Sequence, residues 1–290
     1  RICHDKNNKE ASVLSIKNIT KIIMVKNSSS SNNNLIVKNT AFLYFRMLFS
    51  MGITLYTSRL ILTILGIDDF GIYNVIGGMV SMFLFLNTAM SSATSRFLTF
   101  EIGKREKSEI SKVFSVSLTT HLIIIAIIFV LCESIGVWFL NSKMIIPEDR
   151  VYAANIVLQT SIAASLINII QVPYRAIVVS YEKMDMYAYI EIFNVVSKLL
   201  IAIALIYTTY DKLITYSYLY LVTCVVVFLI YAVYANFRCV GANFSPKLDK
   251  DILKPMLTFT GWDFYGNASV VARTQGVNML LNIYFGPVLN

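Results

Sequence analysis

The chain has 290 residues, of which 56% are hydrophobic and only 14% charged, against roughly 25% charged in soluble domains. At a mean hydropathy of +0.64 too little polar surface exists to cover a soluble core, which excludes a water-soluble globular domain and predicts an all-α polytopic membrane protein. The net charge of +8 does not point to nucleic acid, because membrane proteins keep Lys and Arg in their cytoplasmic loops.

Residues 1–37 are polar and include the low-complexity tract NSSSSNNN at 27–34. They lack the apolar core of a secretory signal and read as a disordered cytoplasmic segment. Arg1 stands where a Met would, so Met24 is the expected start. Apolar runs long enough to cross a bilayer then follow near 39–65, 72–99, 113–140, 152–179, 187–208, 213–237 and 257–284. About twenty apolar residues span a bilayer as a helix, and lipid cannot satisfy an open backbone, so helices are forced. Between the first two runs, LTILGIDDFGIYNVIGG (62–78) predicts a tight turn at 66–71, with Gly66 and Gly71 permitting the reversal of chain direction. With the N-terminus inside, the outer connectors hold only Lys143, Arg150 and Lys212, and nearly all other connector Lys and Arg fall inside. That asymmetry predicts a multi-pass membrane protein with a cytoplasmic N-terminus.

Polar residues in these runs fall into stripes at helical spacing. The first run aligns Arg46, Ser50, Thr54 and Thr57; the second aligns Asn74, Gly78, Ser81, Thr88, Ser92, Arg96 and Thr99. Ser161, Ser165, Asn168 and Arg175 share a side of the fourth run, and Glu191, Asn194 and Lys198 a side of the fifth. The last carries Asp263, Asn267, Thr274 and Asn278 on one side, with Arg273 nearby. Ser, Thr and Asn serve as ordinary glue between membrane helices, but the charges need more. Lys198 and Arg273 lie near mid-membrane, where an isolated charge costs at least about 2.5–3.5 kcal/mol and faces a cavity or a partner. Arg46, Arg96 and Arg175 lie nearer the cytoplasmic ends, Arg59 toward the outer end, and all four reach headgroups or the same cavity. Arg46, Arg59, Arg96, Arg175, Lys198 and Arg273 are therefore the candidate cavity cations, with Glu191, Asn194, Asn168, Asp263 and Asn267 as its polar lining. Such a cavity suits an anion, and the arginine fork suits phosphate.

The remaining chemistry is sparse. Cys3, Cys132, Cys224 and Cys239 lack metal or CxxC spacing and read as structural thiols. His121 is expected near a helix end without a special role. No P-loop, HExxH or GxSxG motif occurs, so an enzyme, a metal site or a cofactor is not expected.

The stretch RLILTILGIDDFGIYNVIGGMVSMFLFLNTAMSSATSRFLTFEIGK (59–104) carries an LGxx[DE][FY]G[IL]Y pattern that resembles bacterial polysaccharide-export flippases. These form the oligosaccharide flippase branch of the multidrug/oligosaccharidyl-lipid/polysaccharide exporter (MOP) superfamily, related to the MATE transporters. VPYRAIVVSYEKMDMYAYIEI (172–192), FTGWDFYG (259–266) and QGVNMLLNIYFGPVLN (275–290) are similar to the same branch, which puts the resemblance over residues 38–290. It implies two lobes of six helices around a cationic cavity that alternates between the two sides of the membrane. It also implies an undecaprenyl-pyrophosphate-linked oligosaccharide as substrate. Family members are longer, so the chain reads as a C-terminally truncated member. The expected parts are a six-helix lobe at 38–240, a cytoplasmic linker at 241–256, and the first helix of a second lobe at 257–290. A weak echo agrees: aligning Gly66 with Gly286 sets Trp262 on Phe42 and Thr274 on Thr54. The alternative within the superfamily is a MATE-type multidrug/cation antiporter, which would want a membrane acid where the first run has Arg46 and Arg59. Besides the lipid-linked ligand, membrane lipids and a coupling ion are the expected partners. A scaffold or a polymerase is the reading from another class, and the short outer connectors leave a polymerase no catalytic loop.

Overall fold

The computed structural model describes the backbone of residues 2–83, 85–104, 107–142, 144, 146–242, 249–263, 265, 266 and 269. Side chains are described from Val37 onward, apart from residues 38, 39, 81–89 and 107. Every regular element among the described residues is helical. The elements are α1 (Ile2–Phe83), α2 (Phe85–Lys104), α3 (Lys107–Leu131), α4 (Val137–Ser142), α5 (Val151–Ser180), α6 (Met184–Ala204) and α7 (Lys212–Arg238). Residues 250–263 add a further helical stretch. A π-helical turn, Cys132–Gly136, joins α3 to α4, and 3-10 turns precede α5 and follow α6. The chain forms two compact units, Arg1–Leu48 and Phe49–Asn290. In the first, residues 2–48 have helical backbone, polar tract included. The sequence leads one to expect a disordered segment over residues 1–37; the side chains of 1–36 lie outside the described residues.

The second unit holds the bundle. Its first helical stretch breaks at Gly66 (φ 82, ψ 173), a conformation open to glycine almost alone. Residues on both sides of the break, Thr57 and Asn74, line one cavity of about 190 Å³. In one straight helix they would stand about 25 Å apart, so the chain doubles back at the break. This is the turn expected at 66–71, achieved by one residue with helix resuming at once. The expected second span, 72–99, is divided between the end of α1 and α2.

Among the described residues five helical stretches are long and apolar enough to cross a membrane: Thr40–Val80, Ser108–Ser142, Glu148–Ser180, Met184–Tyr207 and Lys212–Arg238. They make the chain a multi-pass membrane protein by architecture. The α5 span lies at the centre: 56% of its most apolar window is buried, against 11% for the span of α1. It packs against α2, α3, α6 and α7. Ala153, Ala154, Ala164 and Ala176 are buried along it, and such small residues let helix backbones approach closely. By contrast Tyr56, Leu55 and Met51 of α1 are exposed and suit acyl chains.

Two apolar clusters lie toward opposite ends of the bundle. One joins Ile61, Ile72 and Ile76 to Ile128, Leu158, Leu205 and Leu213. The other joins Met90, Phe114, Ile177 and Tyr231 to Met256. Hydroxyls between helices satisfy one another: Thr94 and Ser117 bond at 2.7 Å, and Thr99 donates to Ser180 at 3.0 Å. Others return to their own helix, as Thr120 does to the Val116 carbonyl at 2.8 Å, which lowers the cost of polar atoms in an apolar helix.

The acids of the opening turn acquire a role here. Asp69 is only 5% exposed, and it forms an ion pair with Arg150, whose Nη2 lies 3.0 Å from its Oδ2. The same guanidinium bonds Asp211 through Nη1. Asp211 in turn caps α7, accepting the Ile214 N–H at 3.0 Å. One arginine thus ties together the Gly66 turn, the start of α5 and the start of α7.

Two outcomes are expected in thermal unfolding of the purified chain. Arg150→Ala strands a buried carboxylate and costs about 2 kcal/mol, whereas Asp68→Asn, at an exposed neighbour, changes stability by less than about 0.5 kcal/mol. Gly66→Ala costs about 1–3 kcal/mol from backbone strain alone, because its Cβ would meet no atom within 4 Å.

Candidate functional site

Polar stripes from four helical segments converge in the second unit. Thr54, Thr57 and Ser58 precede the Gly66 break, and Phe70, Tyr73 and Asn74 follow it; with Val195 and Lys198 of α6 and Tyr216 of α7 they enclose the 190 Å³ cavity. A second cavity, of about 280 Å³, shares Tyr73 and Asn74 and continues along Gly77, Gly78, Ser161, Ser165 and Asn168 to Tyr220. Between them stands a tyrosine wall. Tyr73 meets Tyr216 edge-on with centroids 4.9 Å apart, and Tyr216 stacks on Tyr220 at 6.5 Å. Tyr216 and Tyr220 are four apart on α7 and so share its inward face.

Lys198 lies near the middle of the Met184–Tyr207 span, half-buried, with its Nζ 5.1 Å from the centre of the Tyr220 ring. A ring face attracts an ammonium and replaces part of its lost hydration. Among the described residues Lys198 forms no ion pair, and no carboxylate lines either cavity. Glu191, two turns away on α6, instead accepts from the Tyr231 hydroxyl at 3.4 Å. Arg175 of α5, half-buried, acts electrostatically on that same hydroxyl.

Arg96 lies elsewhere. With Ser95, Thr99 and Phe100 it lines a larger hollow of about 730 Å³, its guanidinium carbon 4.6 Å over the Phe259 ring. Arg59 is exposed. Arg46 is half-buried within the first unit. Asn194 is half-buried on α6, and Asp263 is half-buried at the end of helical residues 250–263. Arg273 and Asn267 lie outside the described residues. The structure therefore gathers Lys198 and Asn168 at adjoining cavities, places Arg96 at a separate one, and groups Glu191 with Arg175 through Tyr231.

His121 departs from the sequence expectation. It lies within α3 rather than near its end, fully buried, with Nδ1 2.8 Å from the Ser117 carbonyl oxygen. Its neighbours Ser117 and Thr94 form a polar seam between α2 and α3, and a single histidine in an apolar run carries no periodic signal of such a seam. Glu133 is half-buried and accepts from Gln159 at 3.1 Å. The described cysteines, Cys132, Cys224 and Cys239, are free and buried. Burial pushes the Cys239 thiol, just past α7, up to about 11, so it stays protonated and unreactive at neutral pH.

No protein-family model and no curated protein matches the chain. Solved structures do. A multidrug resistance MATE family transporter of the MOP superfamily, in an outward-facing conformation, matches with TM-score 0.69 at 18% identity, over 86% of this chain and 56% of that one. A MATE structure in a straight conformation matches with TM-score 0.71 at 18% identity, over 87% and 57%. A MOP superfamily transporter from Pyrococcus furiosus, described by the reverse polarity of its binding pocket, matches with TM-score 0.68 at 18% identity, over 86% and 57%. The fold is thus that of MATE-like helical transporters, and the chain spans little more than half the length of these structures.

If the two adjoining cavities hold water, cysteines placed in them react from solution. With the four native cysteines replaced, Thr54→Cys and Ser161→Cys are expected to label with a charged maleimide in lipid nanodiscs. In a chain that keeps Cys224 as its single cysteine, that thiol is expected to label only after denaturation.

Proposed function

We propose that the chain belongs to a membrane transporter that flips a lipid-linked oligosaccharide by alternating access, in a bacterial plasma membrane with the N-terminus cytoplasmic. The observation that carries this reading is Lys198: a mid-span ammonium resting on Tyr220, beside cavities that hydroxyls and amides line with no carboxylate among the described residues. A cation held without an acid stabilises an anionic guest, and a pyrophosphate on a lipid carrier supplies one. The prenyl tail stays in the bilayer against the apolar outer faces, and the head enters the wet interior. A guest that neutralises Lys198 favours whichever conformation brings more cations to it. Arg96 and Arg175 are candidates for that role, and Arg273 keeps its assignment on sequence grounds. The LGxx[DE][FY]G[IL]Y resemblance supports the polysaccharide branch. Undecaprenyl pyrophosphate-linked glycan for O-antigen, capsule or a related polymer is the substrate proposed.

The second reading is a MATE-type multidrug or cation antiporter. The matched multidrug resistance transporters favour it through the shared fold. Its ligand is a cation, which Lys198 would repel.

In cells whose surface polysaccharide depends on this protein, Lys198→Ala is expected to lower polymer export at least about tenfold, a loss of roughly 1.4 kcal/mol or more of differential binding. Lys198→Arg is expected to retain most export, and protein level is expected to hold in both. Unchanged polysaccharide together with altered resistance to cationic drugs would transfer the assignment to the antiporter.

A further inference from the structure

We propose that the 280 Å³ cavity beside Asn168 is a subsite for the uncharged, hydroxyl-rich part of the ligand, a single sugar ring, adjoining the cationic pocket at Lys198. This rests on the ligand being a glycosylated anion. Three observations carry it. Among the described residues the lining is neutral: Asn74, Ser161, Ser165, Asn168 and two tyrosines supply donors and acceptors beside Gly77, Gly78, Val80 and Ala164, and no charged side chain lines the cavity. Neutral hydroxyls and amides match the mixed donor and acceptor pattern of a sugar.

The second observation is the wall made by Gly77 and Gly78. Glycine inside a helix costs roughly 0.5–1 kcal/mol against alanine. Among the described residues a Cβ at either position would meet no atom within 4 Å. The two glycines therefore keep space open and let a ring lie flat on the backbone.

The third is size and connection. At about 30 Å³ per water the cavity holds the volume of about nine waters, and it falls below the roughly 300–1,000 Å³ of drug-sized sites. It shares Tyr73 and Asn74 with the Lys198 pocket, and Tyr220, whose ring carries the ammonium, also lines it. A pyrophosphate at Lys198 thus has its attached sugar beside Asn168. The Asn168 amide makes a long 3.9 Å contact to the Cys224 sulfur and also interacts with the Tyr220 hydroxyl; the sulfur is a weak acceptor that a sugar hydroxyl outcompetes.

The test uses the full chain in lipid nanodiscs and two probes: a prenyl glucoside, which has sugar without anion, and a prenyl pyrophosphate, which has anion without sugar. The unmodified chain is expected to bind both. Asn168→Leu is expected to lower the ratio of glucoside to pyrophosphate affinity by roughly five- to tenfold, the loss of one or two hydrogen bonds. Ser161→Ala, a milder change that preserves the fold, lowers it by roughly two- to fivefold, and Lys198→Met raises it. A glucoside that fails to bind the unmodified chain, or a ratio unmoved by Asn168→Leu and Ser161→Ala, overturns the subsite whatever the pyrophosphate does. Pyrophosphate binding indifferent to Lys198→Met, with the glucoside still sensitive to Ser161→Ala, overturns the anion reading and leaves the sugar subsite standing.

Discussion

Hydrocarbon offers no partner to a hydroxyl, an amide or an ammonium, and this constraint organises the molecule. Several helices of the bundle bring polar residues together on sides that face one another. Those sides must then meet each other. Thr94 meets Ser117, Thr99 meets Ser180, and the stripes of α1, α5, α6 and α7 meet around two adjoining cavities. A hydroxyl can be satisfied by the carbonyl a turn earlier, as Thr120 is. An ammonium cannot, and Lys198 therefore rests against an aromatic face at the edge of a hollow.

The same logic separates what was legible in the residues from what was not. Thr54, Thr57, Asn74, Ser161, Ser165, Asn168 and Lys198 stood out at helical spacing, and all seven line the adjoining cavities. Periodicity reports which side of a helix is polar. It does not report which polar sides face each other across the bundle. That is why Arg96, on the same stripe as Asn74, lines a different hollow, against Phe259. The tyrosine wall was hidden for another reason. Tyr73, Tyr216 and Tyr220 are amphipathic, and such rings occur as readily in interface belts as in a core, so composition gave no address. His121 and the pairing of Asp69 with Arg150 depend on contacts between residues far apart in the chain, which local pattern cannot specify.

The arrangement also divides labour by chemistry. The pocket at Lys198 offers charge; the one beside Asn168 offers neutral donors, acceptors and flat backbone. A guest carrying only one of these properties satisfies only half of the lining. Selectivity of this kind needs no tight fit to either part, since unmet polar groups penalise the incomplete ligand.

The arginine at the corner of the bundle has a mechanical consequence. Arg150 clamps the Gly66 bend to Asp211, and Asp211 is the first anchor of α7. Tyr216 lies five residues further on, about 7.5 Å along the axis. Loosening that fastening frees the bend and the head of α7 together, and the partition between the two hollows shifts with them. Prising the corner apart and redrawing the interior are one movement, so a load applied at the rim of the protein is felt by whatever lies at its heart.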